Sequence, residues 1–257
     1  MSLAVIATVG TTSTTSIDPV ARIADVRRTY GTWLHAYGGA LAVLPERHDV
    51  MAGIELADSL IINPHKWLFV PLDFSALYTR HPDVLRSVFS LVPEYLRGDA
   101  SSDADERARD VGAAIDYMDY SLQLGRRFRA LKAWMVFRAF GRDGIAARVW
   151  EHCRLAQLLA GWIAADARFE IMAPVPMAVV CFRFNPEGVD PDSCDRMNAK
   201  IVETVNASGD AYLTHTRLRG RVAMRVGIGN VLTTKQHLAQ VWRRIQAATS
   251  ASAPMRT

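Results

Sequence analysis

Lysine is nearly missing from this chain. Of its 30 basic residues only Lys66, Lys132, Lys200 and Lys235 are lysines, and the rest are arginines. These are interspersed with 26 acidic residues, for a net charge of +4. No basic stripe with interleaved aromatics occurs, so a nucleic-acid partner is not expected. The nearest approach, Arg126, Arg127 and Arg129, reads as a solvated or ion-paired face. Cysteine is also scarce. Cys153, Cys181 and Cys194 are odd in number and lack metal-ligand spacing, which predicts reduced thiols in a cytoplasmic protein, with neither a disulfide framework nor a metal centre. No window approaches the roughly 18–20 apolar residues of a membrane span. The apolar start, Met1 to Ala7, has no basic residues before it, so no secretory signal is expected. What is present is core material. Half of the 257 residues are hydrophobic and 22% are charged, a balance that excludes a disordered tail and predicts a soluble globular protein of one large or two ordinary domains.

The pattern along the chain alternates. Leu3 to Val9 is a short β-branched apolar run that stops at Gly10-Thr11-Thr12-Ser13-Thr14-Thr15-Ser16, as a buried strand does at the carboxyl edge of an α/β sheet. Ligands sit at that edge in open α/β folds. Asp18-Pro19 predicts an N-cap and first turn of a helix reaching about Tyr30. Trp33-Leu34-His35, Ser59 to Ile62 and Ser75 to Tyr78 are further strand candidates, the first very short. The polar stretch from Gly98 to Asp110 lacks periodic hydrophobics and predicts a mobile loop. Helical spacing then runs from Gly125 to Phe140, breaks at Gly141-Arg142-Asp143-Gly144, and resumes from Ile145 to about Ala165. Ala178 to Phe184 and Val222 to Val226 alternate like strands, and Thr234 to Ala248 predicts a closing helix. Strands alternating with helices give a layered α/β architecture in two lobes that divide near Gly141–Gly144.

With so few lysines, each can be weighed. Lys132, Lys200 and Lys235 fall in amphipathic helical contexts and read as solvated ammonium groups. Lys66 follows a buried strand, after Asn63, Pro64 and His65 and before Trp67-Leu68-Phe69-Val70. A lysine between a strand end and an apolar wall would be partly desolvated, which disfavours an ammonium and leaves an amine able to attack a carbonyl. A structural ion pair explains the same spacing equally well.

Asn63-Pro64-His65-Lys66-Trp67, preceded by Gly53-Ile54-Glu55-Leu56-Ala57-Asp58-Ser59, resembles the cofactor-lysine segment of the group II pyridoxal-phosphate-dependent amino-acid decarboxylases, aromatic-L-amino-acid decarboxylases in particular. The likeness extends to Ala7-Thr8-Val9-Gly10-Thr11-Thr12, to Leu124 through Lys132, to Cys181-Phe182-Arg183, and to Met224-Arg225-Val226 with Thr233-Thr234, in the family's order and over essentially the whole chain. It implies fold type I of the PLP-dependent transferases, with part of the large mixed-sheet domain and the small C-terminal α+β domain. The corresponding division is 1–98 for the PLP-binding part, 99–122 for a mobile catalytic loop, 123–143 for a connecting helix and 144–257 for the small domain. It further implies pyridoxal 5'-phosphate (PLP) held as a Schiff base on Lys66, with Asn63 and His65 near its phosphate and Thr12 near its ring. The substrate would be an amino acid, aromatic in class, and the assembly a homodimer. Tyr117, eight residues before Gly125, matches the loop tyrosine that returns a proton after carbon dioxide has left; Tyr120 is the alternative in the next register, and a loop aromatic packing at the lobe boundary is the structural one. Phenylalanine at that position favours an aldehyde product instead.

Two departures accompany the likeness. The family reads Trp-Leu-His-Val-Asp-Ala-Ala-Tyr before its glycines, where this chain has Trp33-Leu34-His35-Ala36-Tyr37-Gly38-Gly39. The lost residues include the aspartate that pairs with the pyridine nitrogen and makes the ring an electron sink. Losing three residues from a strand would also flip its alternation unless the next loop absorbs the change. The chain matches only the C-terminal half of the family's usual length. A non-catalytic fragment or partner subunit of a full-length decarboxylase is therefore an alternative reading, as is an aldehyde-forming homologue.

Overall fold

The computed structural model describes residues 3–90 and 117–252. The core of the expected mobile loop, up to residue 116, lies outside them. Two four-stranded sheets are present among the described residues. In the first, β1 (Ala4–Val9), β2 (Trp33–Gly38) and β3 (Ser59–Ile62) run parallel in that order, and β4 (Ala76–Thr79) returns antiparallel beside β3. Helix α1 (Val20–Tyr30) makes the crossover between β1 and β2. A one-turn helix α2 (Pro64–Trp67) follows β3, and α3 (Pro82–Phe89) follows β4. The second sheet is antiparallel throughout. Its order is β5 (Phe169–Ile171), β6 (Val179–Phe184), β8 (Arg221–Gly227), β7 (Thr214–Leu218), with helices α5 (Pro191–Ala207) and α6 (Lys235–Ser252) alongside. The layered α/β expectation is met, with a mixed first sheet and an all-antiparallel second one.

The expected pair of helices is present: α4 (Ala130–Ala164) is two helical segments meeting at a kink in the Gly141–Gly144 break, the first starting five residues later than the spacing predicted. The kink is at Gly141, whose φ of 63° and ψ of 172° are far from helical. The segment after it serves both cores. Ile145 and Val149 pack with Ala7, Val9, Leu34 and Ala36 under the first sheet. Leu155, Leu159 and Ile163 pack with Phe182, Ile201, Met224 and Ile245 under the second. Two apolar turns of one helix thus fix the sheets against each other.

The dipeptide Asp-Pro occurs before two helices with different outcomes. Asp190 caps α5, accepting hydrogen bonds from the amides of Asp192 (3.1 Å) and Ser193 (2.9 Å), with Pro191 at the first position. Asp18, expected to cap α1, does not. It lies alongside β1, donating its own amide to Thr8 O (2.9 Å) and accepting the Thr8 amide on Oδ2 (2.8 Å). Pairing with a strand edge has taken the carboxylate that local spacing assigned to the helix.

Asp58, just before β3, holds the amino end of this sheet together. It is 2% exposed and accepts the Leu34 amide (2.8 Å), the Arg27 guanidinium through both oxygens, and His81 Nε2 (3.2 Å). Burial alone would raise its pKa, but these hydrogen bonds outweigh burial and hold it below the ordinary 3.8. Asp58→Asn is expected to cost about 2 kcal/mol at neutral pH, since Arg27 and a buried amide lose an ionised partner. Because the folded pKa is depressed, that contribution is complete above the unfolded value of 3.8 and fades as pH falls through the folded value. Urea-unfolding curves of the two proteins should therefore converge in acid; a constant gap across pH would refute the assignment.

Candidate active site

The carboxyl ends of three parallel strands deliver Gly10-Thr11-Thr12, Gly38-Gly39 and Asn63 to one edge. The second sheet closes over that edge with Met177-Ala178-Val179 and with Arg225 and Gly227-Ile228-Gly229. A cavity of about 350 Å³ lies between them, within the size range of small-molecule sites. The sheets are tied beside it. Arg225 Nε donates to the carbonyls of Thr12 and Ser13 (both 3.1 Å), and Arg47 donates to Pro176 O (2.7 Å).

Lys66 stands on α2, which Pro64 starts at its first position and whose Lys66 amide bonds Asn63 O (3.0 Å). The next residue anchors the turn. Trp67 Nε1 donates to His152 Nδ1 (3.0 Å), and His152, 2% exposed, contacts Asn230 O through Nε2 (3.1 Å). Accepting on Nδ1 fixes the hydrogen on Nε2, so His152 is the neutral imidazole, and burial lowers its pKa in the same sense. The Lys66 side chain itself is exposed. The expected apolar wall is only partly in place: Trp67 lines the cavity beside Lys66 and packs on both cores, while Leu68 and Phe69 turn into the first core. A phenol holds Lys66 instead. Its Nζ donates to the Tyr37 hydroxyl and lies 5.1 Å from the centre of that ring. Asn63 Nδ2 donates to the same hydroxyl (2.9 Å), while Asn63 Oδ1 accepts from Ser75 Oγ.

Tyr37 was not singled out from the sequence, yet period-2 alternation points to it. Leu34 and Ala36 are fully buried on one face of β2, which leaves His35 and Tyr37 on the other. Tyr37 is two residues past His35, the spacing at which the family pattern carries its aspartate. Alternation is not flipped. β2 stays in register with β1 from Ala4↔Trp33 to Val9↔Gly38, and the shortening falls on Gly38-Gly39, at φ 116° and 130°. A Cβ on Gly38 would sit 2.3 Å from Val9 O, so the tight exit requires glycine. Neither remaining carboxylate of this region substitutes. Asp58 is at the opposite end of the strands, and Asp18 is bonded to Thr8. His35 Nδ1 is paired with Ser59 Oγ (2.7 Å), and burial lowers its pKa.

Of the residues singled out from sequence, Lys66, Asn63 and Thr12 line the cavity together. His65 does not, since its Nδ1 accepts the Phe74 amide (3.0 Å) and braces the following loop. Tyr117 is 63% exposed and lies outside the lining of its own chain. Its carbonyl accepts from Arg126 (2.8 Å), whose guanidinium is 5.6 Å from the Tyr117 ring. Arg225 lies in a family-like segment whose local sequence assigns it no role; the second sheet brings it to the cavity from more than 150 residues beyond Lys66. Among the described residues, the charged lining groups are Lys66 and Arg225, both cations. Such a cavity suits an anionic ligand that also offers a carbonyl to an amine.

Comparison with known proteins agrees with this geometry. Residues 1–185 match the pyridoxal-dependent decarboxylase conserved domain. Tryptophan decarboxylase TDC1 of Camptotheca acuminata is 39% identical over 95% of this chain and 48% of its own length. A phenylacetaldehyde synthase of a Rosa hybrid cultivar is 38% identical over 93% of this chain and 48% of its own. The chain spans about half the length of the curated relatives it matches. Among solved structures, Oryza sativa TDC with PLP and tryptamine superposes with a TM-score of 0.87 at 33% identity, over 96% of this chain and 50% of that one. Catharanthus roseus tryptophan decarboxylase in complex with L-tryptophan gives 0.85 at 31%, over 97% and 51%. The fold is therefore that of the PLP-dependent decarboxylases of fold type I, and the chain belongs to the pyridoxal-dependent decarboxylase family.

Proposed function

We propose that this chain carries the lysine half of a site for PLP-dependent decarboxylation of an L-amino acid, aromatic in class, to the amine. The observation that carries the reading is Lys66, an amine at the carboxyl edge of a parallel sheet in a cavity whose charged lining is cationic. The residues present suit PLP in two respects and depart in one. Lys66 suits its aldehyde; Arg225 and the hydroxyls of Thr11 and Thr12 suit an anion; no carboxylate among the described lining residues faces a ring nitrogen. When bound, PLP supplies an aldehyde and an electron-withdrawing ring. In this reading Lys66 binds the aldehyde, and Asn63 and Thr12 orient the cofactor. His65, which lies outside the cavity lining and accepts the Phe74 amide, braces the turn that carries Lys66 and Asn63 instead of taking the place near the phosphate that the resemblance gives it. Tyr117 of a neighbouring chain delivers a proton to the substrate α-carbon.

A homodimer fits the exposed apolar residues Phe128, Leu131, Trp134, Met135 and Phe137, which want a partner surface. The three free, buried cysteines fit a reducing, cytoplasmic setting. No helix among the described residues is long and apolar enough to cross a membrane. The missing carboxylate supports low turnover, and the identity to a phenylacetaldehyde synthase supports aldehyde formation as the second reading. Supplying PLP and L-tryptophan or L-tyrosine separates the two. Amine and carbon dioxide alone report decarboxylation. Aldehyde, ammonia and peroxide with dioxygen consumed report the second reading, and no turnover of any aromatic amino acid would sink both.

A further inference from the structure

We propose that Tyr37 is a positioning residue for the Lys66 amine, the phenol standing at the strand position where the family pattern carries a carboxylate. The inference deepens the reading of Lys66 given above and rests on it for the ligand, though not for the contact itself. The Tyr37 hydroxyl receives two donors, the Lys66 amine and Asn63 Nδ2 at 2.9 Å. Asn63 is in turn fixed by Ser75 Oγ. This series of hydrogen bonds fastens an otherwise exposed four-carbon side chain to β2, whose register on β1 and β3 is set by backbone pairing. The Tyr37 ring adds a second contact, 5.1 Å from Nζ, within the range of a cation–π attraction. Both neighbours of the phenol oxygen are donors. The hydroxyl's own hydrogen is therefore uncommitted to either and available to an acceptor atom of a ligand bound at Lys66.

A carboxylate at this position would offset the charge of Lys66; a phenol leaves the cavity with Lys66 and Arg225 uncompensated among its described lining residues. The strand position thus serves the nucleophile and raises the cavity's affinity for anions, instead of supplying a counter-charge to a ring nitrogen.

The scarcity of lysine makes the test direct. Wild type and Tyr37→Phe are acetylated with trace isotope-coded acetic anhydride over a pH series, and the four lysine peptides are quantified by mass spectrometry. Tyr37→Phe keeps the ring and removes only the hydroxyl. Lys66 reactivity relative to Lys132, Lys200 and Lys235 is expected to rise about threefold as the amine is released, the size of one partly exposed hydrogen bond to a charged group. The Lys66 reactivity–pH profile should change shape while the other three stay superimposable on wild type. In parallel, both proteins are treated with PLP and borohydride. The share of label on Lys66 is expected to fall about threefold in the variant, because the freed amine is no longer aimed. Unchanged relative acetylation of Lys66 overturns the inference. Changed acetylation with no PLP adduct on wild-type Lys66 leaves Tyr37 as the residue that holds Lys66 and overturns the cofactor reading instead.

Discussion

Lys66→Ala is expected to abolish the visible band that PLP gives with the wild-type chain and to remove the borohydride-fixed peptide, leaving only slow, scattered labelling of Lys132, Lys200 and Lys235. The argument is chemical. Among the described residues Lys66 is the only lysine that lines the cavity, and a nucleophile that forms a covalent bond to the ligand has no substitute among the hydroxyls beside it. If the chain turns over an aromatic amino acid, the same substitution should lower kcat by at least about a thousandfold, as loss of a covalent nucleophile does elsewhere. Thermal unfolding should barely move, because the side chain is exposed and its hydrogen bond goes to a phenol that Asn63 still holds. A variant that retained the band, or one that lost the band and also unfolded early, would remove Lys66 from the centre of the site.

The second large effect is structural. Gly38→Ala should destabilise the chain by about 3 kcal/mol, the sum of left-handed backbone strain and overpacking. The new Cβ would meet Val9 O at 2.3 Å, and Val9 is paired with Gly38 itself in the β1–β2 ladder, so neither atom has room to withdraw. Gly31→Ala provides the control. It also has a positive φ, 64°, but nothing lies within 4 Å of its Cβ position, so only strain of about 1 kcal/mol applies. Differential scanning calorimetry should separate the pair, with a fall of roughly 10 °C for Gly38→Ala against a few degrees for Gly31→Ala. Equal shifts would mean that the strand exit yields more easily than its backbone pairing implies. Because Gly38 also lines the cavity, Gly38→Ala should reduce Lys66 labelling even below its melting temperature.

What the sequence by itself determined about this protein was local. Apolar β-branched runs ending in small or polar residues marked the strands around Val9 and Ile62, since burial and backbone preference act through neighbouring residues. The isolation of Lys66 among only four lysines marked the candidate nucleophile, and the motif around it marked the family. Asp190-Pro191 capped its helix as the local rule states.

The tertiary structure decided the rest, wherever two distant segments competed for one group. Asp18 was drawn from its helix to β1 by the Thr8 backbone, and the Trp67 indole beside Lys66 was anchored by His152, 85 residues away. Arg225 reached the cavity only because an antiparallel sheet folds back over the first one. Tyr37 stood between the two levels. Its face could be read from the alternation of β2, but its contact with Lys66 required the parallel pairing of β2 with β3 to bring positions 29 residues apart within hydrogen-bonding reach. Hydrophobic periodicity specifies which side of a strand is buried; only the closed sheet specifies which side chain from another strand waits on the far side.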